Sequence, residues 1–199
     1  MGMQVFTYTV LPRHRHGMAR AEVESVQRAR ILNAAAEAVA AQGYGKVTVT
    51  DITRRAGVST KTFYALFDGK EAAFLAVYDD LDALIAGDRA GGAPRVRLHA
   101  ALDVALALLA AAPHLTRMLA MEAVGGGPVI LARRNASFRR LAALVAGMLG
   151  RPRDDVLVTA YLGGVAELVV QHLSGGLPDL APEVHRFTDA LFFPDGQSM

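Results

Sequence analysis

The stretch Val47–Lys70, VTVTDITRRAGVSTKTFYALFDGK, leaves few folds open, because it carries start and stop signals for two short helices in quick succession. Thr48 is a good N-cap, and Asp51 stands three residues on, where its carboxylate can reach back in a weak capping box. Val47 and Ile52 occupy the positions of a hydrophobic staple. Gly57 can take the left-handed conformation that ends a helix. The same grammar then repeats, with Ser59 as the next N-cap and Val58 and Phe63 as a second staple. Phe63, Leu66 and Phe67 fall at i, i+3 and i+4 and form one apolar stripe. At about 100° per residue, Lys61 lies almost opposite that stripe with Ala65 close by, and Thr60, Thr62 and Tyr64 flank it. A short helix that offers hydroxyls, an ammonium and a phenol, held from behind by phenylalanines, suits the major groove of DNA.

The surrounding segment, AAAEAVAAQGYGKVTVTDITRRAGVSTKTFYALFDGKEAAFLAVY, resembles the DNA-binding domain of the tetracycline-repressor (TetR) family of bacterial regulators. The resemblance runs from roughly Arg28 to Tyr78 and rests on TVTDI, AGVS, TFY, the phenylalanine three residues later, and KE. It implies an all-α protein with an N-terminal three-helix DNA-binding domain and a variable helical second domain that binds an effector and forms a homodimer. Two positions depart from the family pattern, which often has glycine at Lys61 and histidine at Leu66. A long cation on the reading face means that no operator preference carries over.

The rest of the chain agrees with that reading. Its 199 residues can hold one large or two small domains, at 52% hydrophobic and 20% charged. The N-terminus lacks a signal peptide's pattern, and Arg, Asp, Glu or His interrupts each apolar run before the roughly 18 residues of a membrane span. A cytoplasmic protein without a membrane partner is expected, and the lack of cysteine rules out disulfides and thiol redox sensing. Residues 1–70 hold ten Lys/Arg against five Asp/Glu, whereas residues 71–199 hold eleven against fourteen. A basic first third on an acidic remainder fits a molecule that meets phosphate with one end.

Four segments are expected. Residues 1–21, with Arg13, His14, Arg15, His16 and Arg20, read as a basic arm or equally as a solvated tail. Residues 22–70 form the helix-turn-helix domain, opening with a helix from about Glu22 to Gln42 that Gly43 closes in a Schellman ending, Tyr44 packing back on Val39. Residues 71–94 form a connecting helix, with Phe74, Tyr78, Leu81 and Ile85 as its stripe, and a linker, GDRAGGAP. Residues 95–199 form a helical effector-binding and dimerisation domain. Within it, Val156–Leu173 is apolar nearly all round and so expects burial on every side, one face on the core and the other on a second subunit. Gly163 and Gly164 would let another helix approach, and Val184, Phe187 and Leu191 offer a partner stripe. The expected dimer interface is Leu162, Gly163, Val169, Val170, Val184, Phe187 and Leu191, like the two-helix surface that pairs in the TetR family.

Other chemistries find little support. There is no Gly-x-Ser-x-Gly elbow or Walker loop, and the adjacent pairs Asp79/Asp80 and Asp154/Asp155 point to different sides of a helix. No catalytic residue, cofactor or metal site is expected, since no two of His99, His114, Glu122, His172 and His185 share a ligating helical spacing. An organic effector fits better, with Leu106, Leu109, Met118, Met121, Phe138, Tyr161 and Val165 as apolar lining and Arg117, Glu122 and His172 as polar candidates. The partners expected are therefore double-stranded DNA with a palindromic operator, a small hydrophobic or amphipathic effector, and a second copy of the chain. Thr60, Lys61, Thr62 and Tyr64 are the groove residues, and Lys46, Thr48, Thr50 and Lys70 the phosphate contacts. The alternative is a helix-turn-helix architectural protein without an effector.

Overall fold

A computed structural model of the chain describes residues 19–85 and 91–194. Every regular element among those residues is helical: α1 (Arg20–Gln42), α2 (Val49–Ala56), α3 (Thr60–Leu66), α4 (Lys70–Ile85), α5 (Pro94–Ala111), α6 (Pro113–Arg117), α7 (Pro128–Leu149), α8 (Val156–Leu173) and α9 (Leu180–Phe192). A 3₁₀ turn, Tyr44–Lys46, comes after α1, and a π-helical turn, Met118–Glu122, continues α6. The expected basic arm lies outside the described residues except for its last three, and so do the first half of the linker and the side chain of Ile85.

The described residues gather into two compact units. The first comprises the chain through Leu81 together with Ala112–Leu131, and the second Asp82–Ala111 together with Ala132 onward. This differs from a boundary near residue 94. Leu115, Met118, Ala123 and Ile130 are buried in the same core as α1, which draws their segment into the first unit. α1 is the spine of that core. Ile31, Ala35, Ala38 and Val39 are buried along it, and its small alanines let α2 and α6 pack close. Ile52 and Ala56 from α2, Phe63 from α3, and Phe74 and Val77 from α4 complete the core.

α1 does not end in the expected Schellman motif. Gly43 has φ 79° and ψ 149°, outside the left-handed helical well, and the chain turns directly into the 3₁₀ segment. Tyr44 meets Phe74 edge-on, with ring centroids 5.2 Å apart.

The second unit is built around Tyr161 of α8. Its ring lies between Phe187 and Phe192 of α9, at 5.4 and 5.1 Å, and its hydroxyl shares a 2.8 Å hydrogen bond with Thr188. Thr188 in turn donates to the Val184 carbonyl, so the buried phenol leaves no polar group unsatisfied. On the α5 side of α9, Arg95 makes two bonds to Asp189 (2.9 and 2.8 Å) and His99 a third (2.9 Å). α8 is not buried all round within the chain. Its 18 residues have a mean hydropathy of 1.5 with 22% buried, long and apolar enough by composition to cross a membrane, although Glu167 and His172 interrupt the apolar run.

Candidate nucleic-acid interface

The caps read from the sequence are present and fix the geometry of α2 and α3. Thr48 Oγ1 accepts from the Asp51 amide (3.2 Å), and the Asp51 carboxylate accepts from both the Thr48 amide (3.1 Å) and its hydroxyl (2.7 Å). These bonds, chiefly from Thr48 and supplemented by Arg54, hold the Asp51 carboxyl below its usual range. Gly57 adopts the left-handed conformation, φ 63° and ψ 38°, and the Val58 amide bonds back to Thr53. Ser59 Oγ then accepts from the Thr62 amide at 3.0 Å. Phe63 is fully buried and Phe67 nearly so, which pins one side of α3 to the core.

The opposite side faces solvent. Thr60, Lys61, Tyr64 and Ala65 are exposed, Tyr64 by 55%, with its ring edge-on to Phe63 at 5.5 Å. The side chains of Thr60, Lys61 and Tyr64 make no hydrogen bond or ion pair with another described residue, nor do those of Lys46 and Thr50. Such a face has donors in hand for a base edge or a phosphate. Three predicted residues are otherwise engaged. The Thr62 hydroxyl shares a 2.8 Å bond with Ser59, and the Thr48 hydroxyl proton goes to Asp51. Lys70, expected at a phosphate, instead aims its ammonium inward at the carbonyls of Tyr44 (3.0 Å), Val47 (2.9 Å) and Gly45 (3.5 Å), lying 4.6 Å above the Tyr44 ring. The sequence reading passed over Arg55, exposed in the last turn of α2 and without a partner among the described residues, although the doublet Arg54–Arg55 beside Gly57 signalled it.

Residues 31–77, which contain these caps and this exposed face, match the family described as bacterial regulatory proteins, tetR family. Residues 31–77 form a TetR-family domain. That domain is one of DNA-binding transcriptional regulators. Over most of the chain the fold is similar to that of solved structures of transcriptional regulators. A fatty acid degradation regulator, FadR, from Bacillus halodurans is 18% identical, with 84% of this chain and 95% of that one covered and a TM-score of 0.70. FadR from Bacillus subtilis, in complex with stearoyl-CoA, is 19% identical over 82% and 97% of the two chains, at 0.67. A tetR-family regulator from Streptomyces coelicolor is 17% identical over 87% and 80%, at 0.66. At these identities the likeness is one of fold. No curated protein sequence matches the chain.

The residues expected to line an effector pocket divide between the two units. Arg117, Met118 and Met121 belong to the first unit, where Met118 is fully buried against α1, whereas Leu106, Leu109, Phe138, Tyr161 and Val165 belong to the second. Tyr161 is part of the packed core, its hydroxyl already bonded to Thr188. The α8–α9 expectation also divides. Leu162, Val169 and Val184 are buried inside the protomer and serve its core, while Gly163 is exposed and Val170, Phe187 and Leu191 are half-buried. Gly164 explains the close helix contact: a Cβ there would stand 2.8 Å from the Phe187 ring. A groove of about 380 Å³ lies on the same two helices, lined by Leu168, Glu183, Arg186, Phe187 and Ala190. Among the described residues no group of three or more His, Asp or Glu is placed to hold a metal ion.

Proposed function

We propose that the chain is a homodimeric, cytoplasmic, non-enzymatic TetR-family repressor that reads a palindromic operator and is released by a small hydrophobic or amphipathic effector. The observation that carries the reading is the exposed face of α3, where Thr60, Lys61 and Tyr64 stand unpartnered opposite the buried Phe63. Two such faces related by a two-fold axis would read half-sites roughly 34–36 Å apart or a multiple of that spacing. Lys61 donates to a guanine edge, Ala65 offers its methyl to a thymine, and Tyr64 bonds either a base or the groove wall. Lys46, Thr50 and Arg55 supply phosphate contacts, which position the domain without specifying sequence. Support for the effector class comes from FadR of Bacillus subtilis and of Thermus thermophilus, whose structures hold stearoyl-CoA and lauroyl-CoA. An effector releases DNA only by preferring the conformation in which the two reading helices no longer fit together.

Selection of bound duplexes from random DNA, repeated with fatty acyl-CoA thioesters and other amphipathic metabolites as releasing agents, tests the whole reading. An enriched palindrome, lost on adding one of the compounds, is the expected result. Enrichment of flexible DNA without a sequence motif, unaffected by every compound, would instead favour an architectural protein.

A further inference from the structure

The turn between α1 and α2 carries Lys46 and delivers the chain into the Thr48 cap, and two charged side chains from distant parts of the sequence grip it. From one direction comes Lys70 at the start of α4. Its ammonium has three donors, and three turn carbonyls receive them, those of Tyr44, Gly45 and Val47. From the other comes Glu122, the last residue of the π-helical turn, whose Oε2 accepts from the Tyr44 amide at 3.3 Å. That amide belongs to the first residue of the 3₁₀ turn. Such groups lack a partner within their own helix.

Two features of the backbone make room for this arrangement. Gly43 takes φ 79°, which an L side chain rarely adopts, and a Cβ there would stand in ordinary contact, 3.4 Å, with Glu122 Oε2. A π-helical insertion adds one residue to the helix and rotates the side chains beyond it by about 100°. With it, Met118 stays fully buried against α1 while Glu122 reaches the turn.

We propose that Glu122 and Lys70 are positioning residues for DNA binding. The carboxylate holds the turn by its amide and the ammonium holds it by its carbonyls. Together they fix where Lys46 and the N-terminus of α2 meet the phosphate backbone. Neither touches DNA. The proposal rests on the DNA-binding reading above and assigns these two residues a role within it.

The test compares the full chain with Glu122→Ala, Glu122→Gln, Lys70→Met and Lys46→Ala, using a duplex that the wild type selects from random DNA. Glu122→Ala and Lys70→Met should each weaken binding by about tenfold with the salt dependence unchanged, since a charge-assisted hydrogen bond is lost but no phosphate contact is. Lys46→Ala, in contrast, should flatten the salt dependence by about one contact per subunit. Glu122→Gln removes the same charge as Glu122→Ala but keeps an oxygen for the Tyr44 amide, so it should restore wild-type affinity. Hydrogen exchange at the Tyr44 amide gives a readout independent of DNA: protected in the wild type and Glu122→Gln, fast in Glu122→Ala. Wild-type affinity in Glu122→Ala, a reduced salt slope in Lys70→Met, or equal Tyr44 exchange in wild type and Glu122→Ala would overturn the proposal. If the wild type selected no duplex, the DNA-binding reading itself would fail, while Tyr44 exchange would still judge the Glu122 contact.

Discussion

At the scale of single residues, the molecule separates cations that hold its own backbone from cations free to meet another molecule. Lys70 and Lys61 are nine positions apart and chemically identical, yet one has three carbonyl partners and the other none among the described residues. Lys61→Ala should therefore cost little stability but about 1–3 kcal/mol of binding, with base preference relaxed at one position of each half-site. Affinity profiles over single-base variants of the selected operator check this, and a uniform loss over all variants would reassign Lys61 to the phosphates. Asp189 supplies the corresponding case for stability. The bonds from Arg95, reinforced by His99 and opposed by desolvation, bring its pKa down to about 2, below the roughly 3.9 of an unfolded aspartate. A lowered folded-state value means that stabilisation is fully present above about pH 4 and disappears as pH falls toward 2. The gap in denaturant midpoint between wild type and Asp189→Asn should accordingly be widest above pH 4 and close toward pH 2. A gap independent of pH over that range would show that the ion pair contributes nothing.

The elements that proved legible in advance are those whose signals are local. Thr48, Asp51, Gly57 and Ser59 act on backbone groups within four residues, so their chemistry can be read without knowing what packs against them, and each was found in its expected role. Thr48→Ala removes the acceptor for the Asp51 amide and one donor to its carboxylate, and should lower stability by about 1 kcal/mol, seen as a reduced melting temperature. An unchanged melting temperature would mean that α2 is held by Ile52 and Ala56 alone. What stayed illegible depends on partners far along the chain. Gly43 looked like another helix-ending glycine, but the Glu122 carboxylate and the Lys70 ammonium draw the adjoining turn into a 3₁₀ form. Likewise, Met118 stands among the residues expected to line a pocket, and nothing local to it says that α1 buries it. Periodicity identifies a face. It does not name the surface that covers it.

At the scale of the whole molecule, α8 carries the decisive test, because its residues divide between a buried and an open side. Val158, Tyr161, Leu162 and Val169 are buried within the protomer, whereas Val156 is 80% exposed and Gly163 lies open to solvent. A second subunit on that open side would satisfy the apolar surplus that the sequence shows, and it would make operator recognition bivalent. Gly163→Glu isolates this step. A Cβ at residue 163 meets nothing within 4 Å in the protomer, and replacing a mid-helix glycine should if anything stabilise the helix, by about 0.5–1 kcal/mol. Any loss of association can then be attributed to the intersubunit contact rather than to unfolding. Sedimentation at micromolar concentration should find two chains for the wild type and one for Gly163→Glu, with the circular dichroism of a folded helical protein in both. Operator affinity should fall by about 10²-fold or more, because each half-site would be bound alone. Two chains in the Gly163→Glu variant would place the dimer contact away from this face of α8, and one chain in the wild type would remove the dimer altogether.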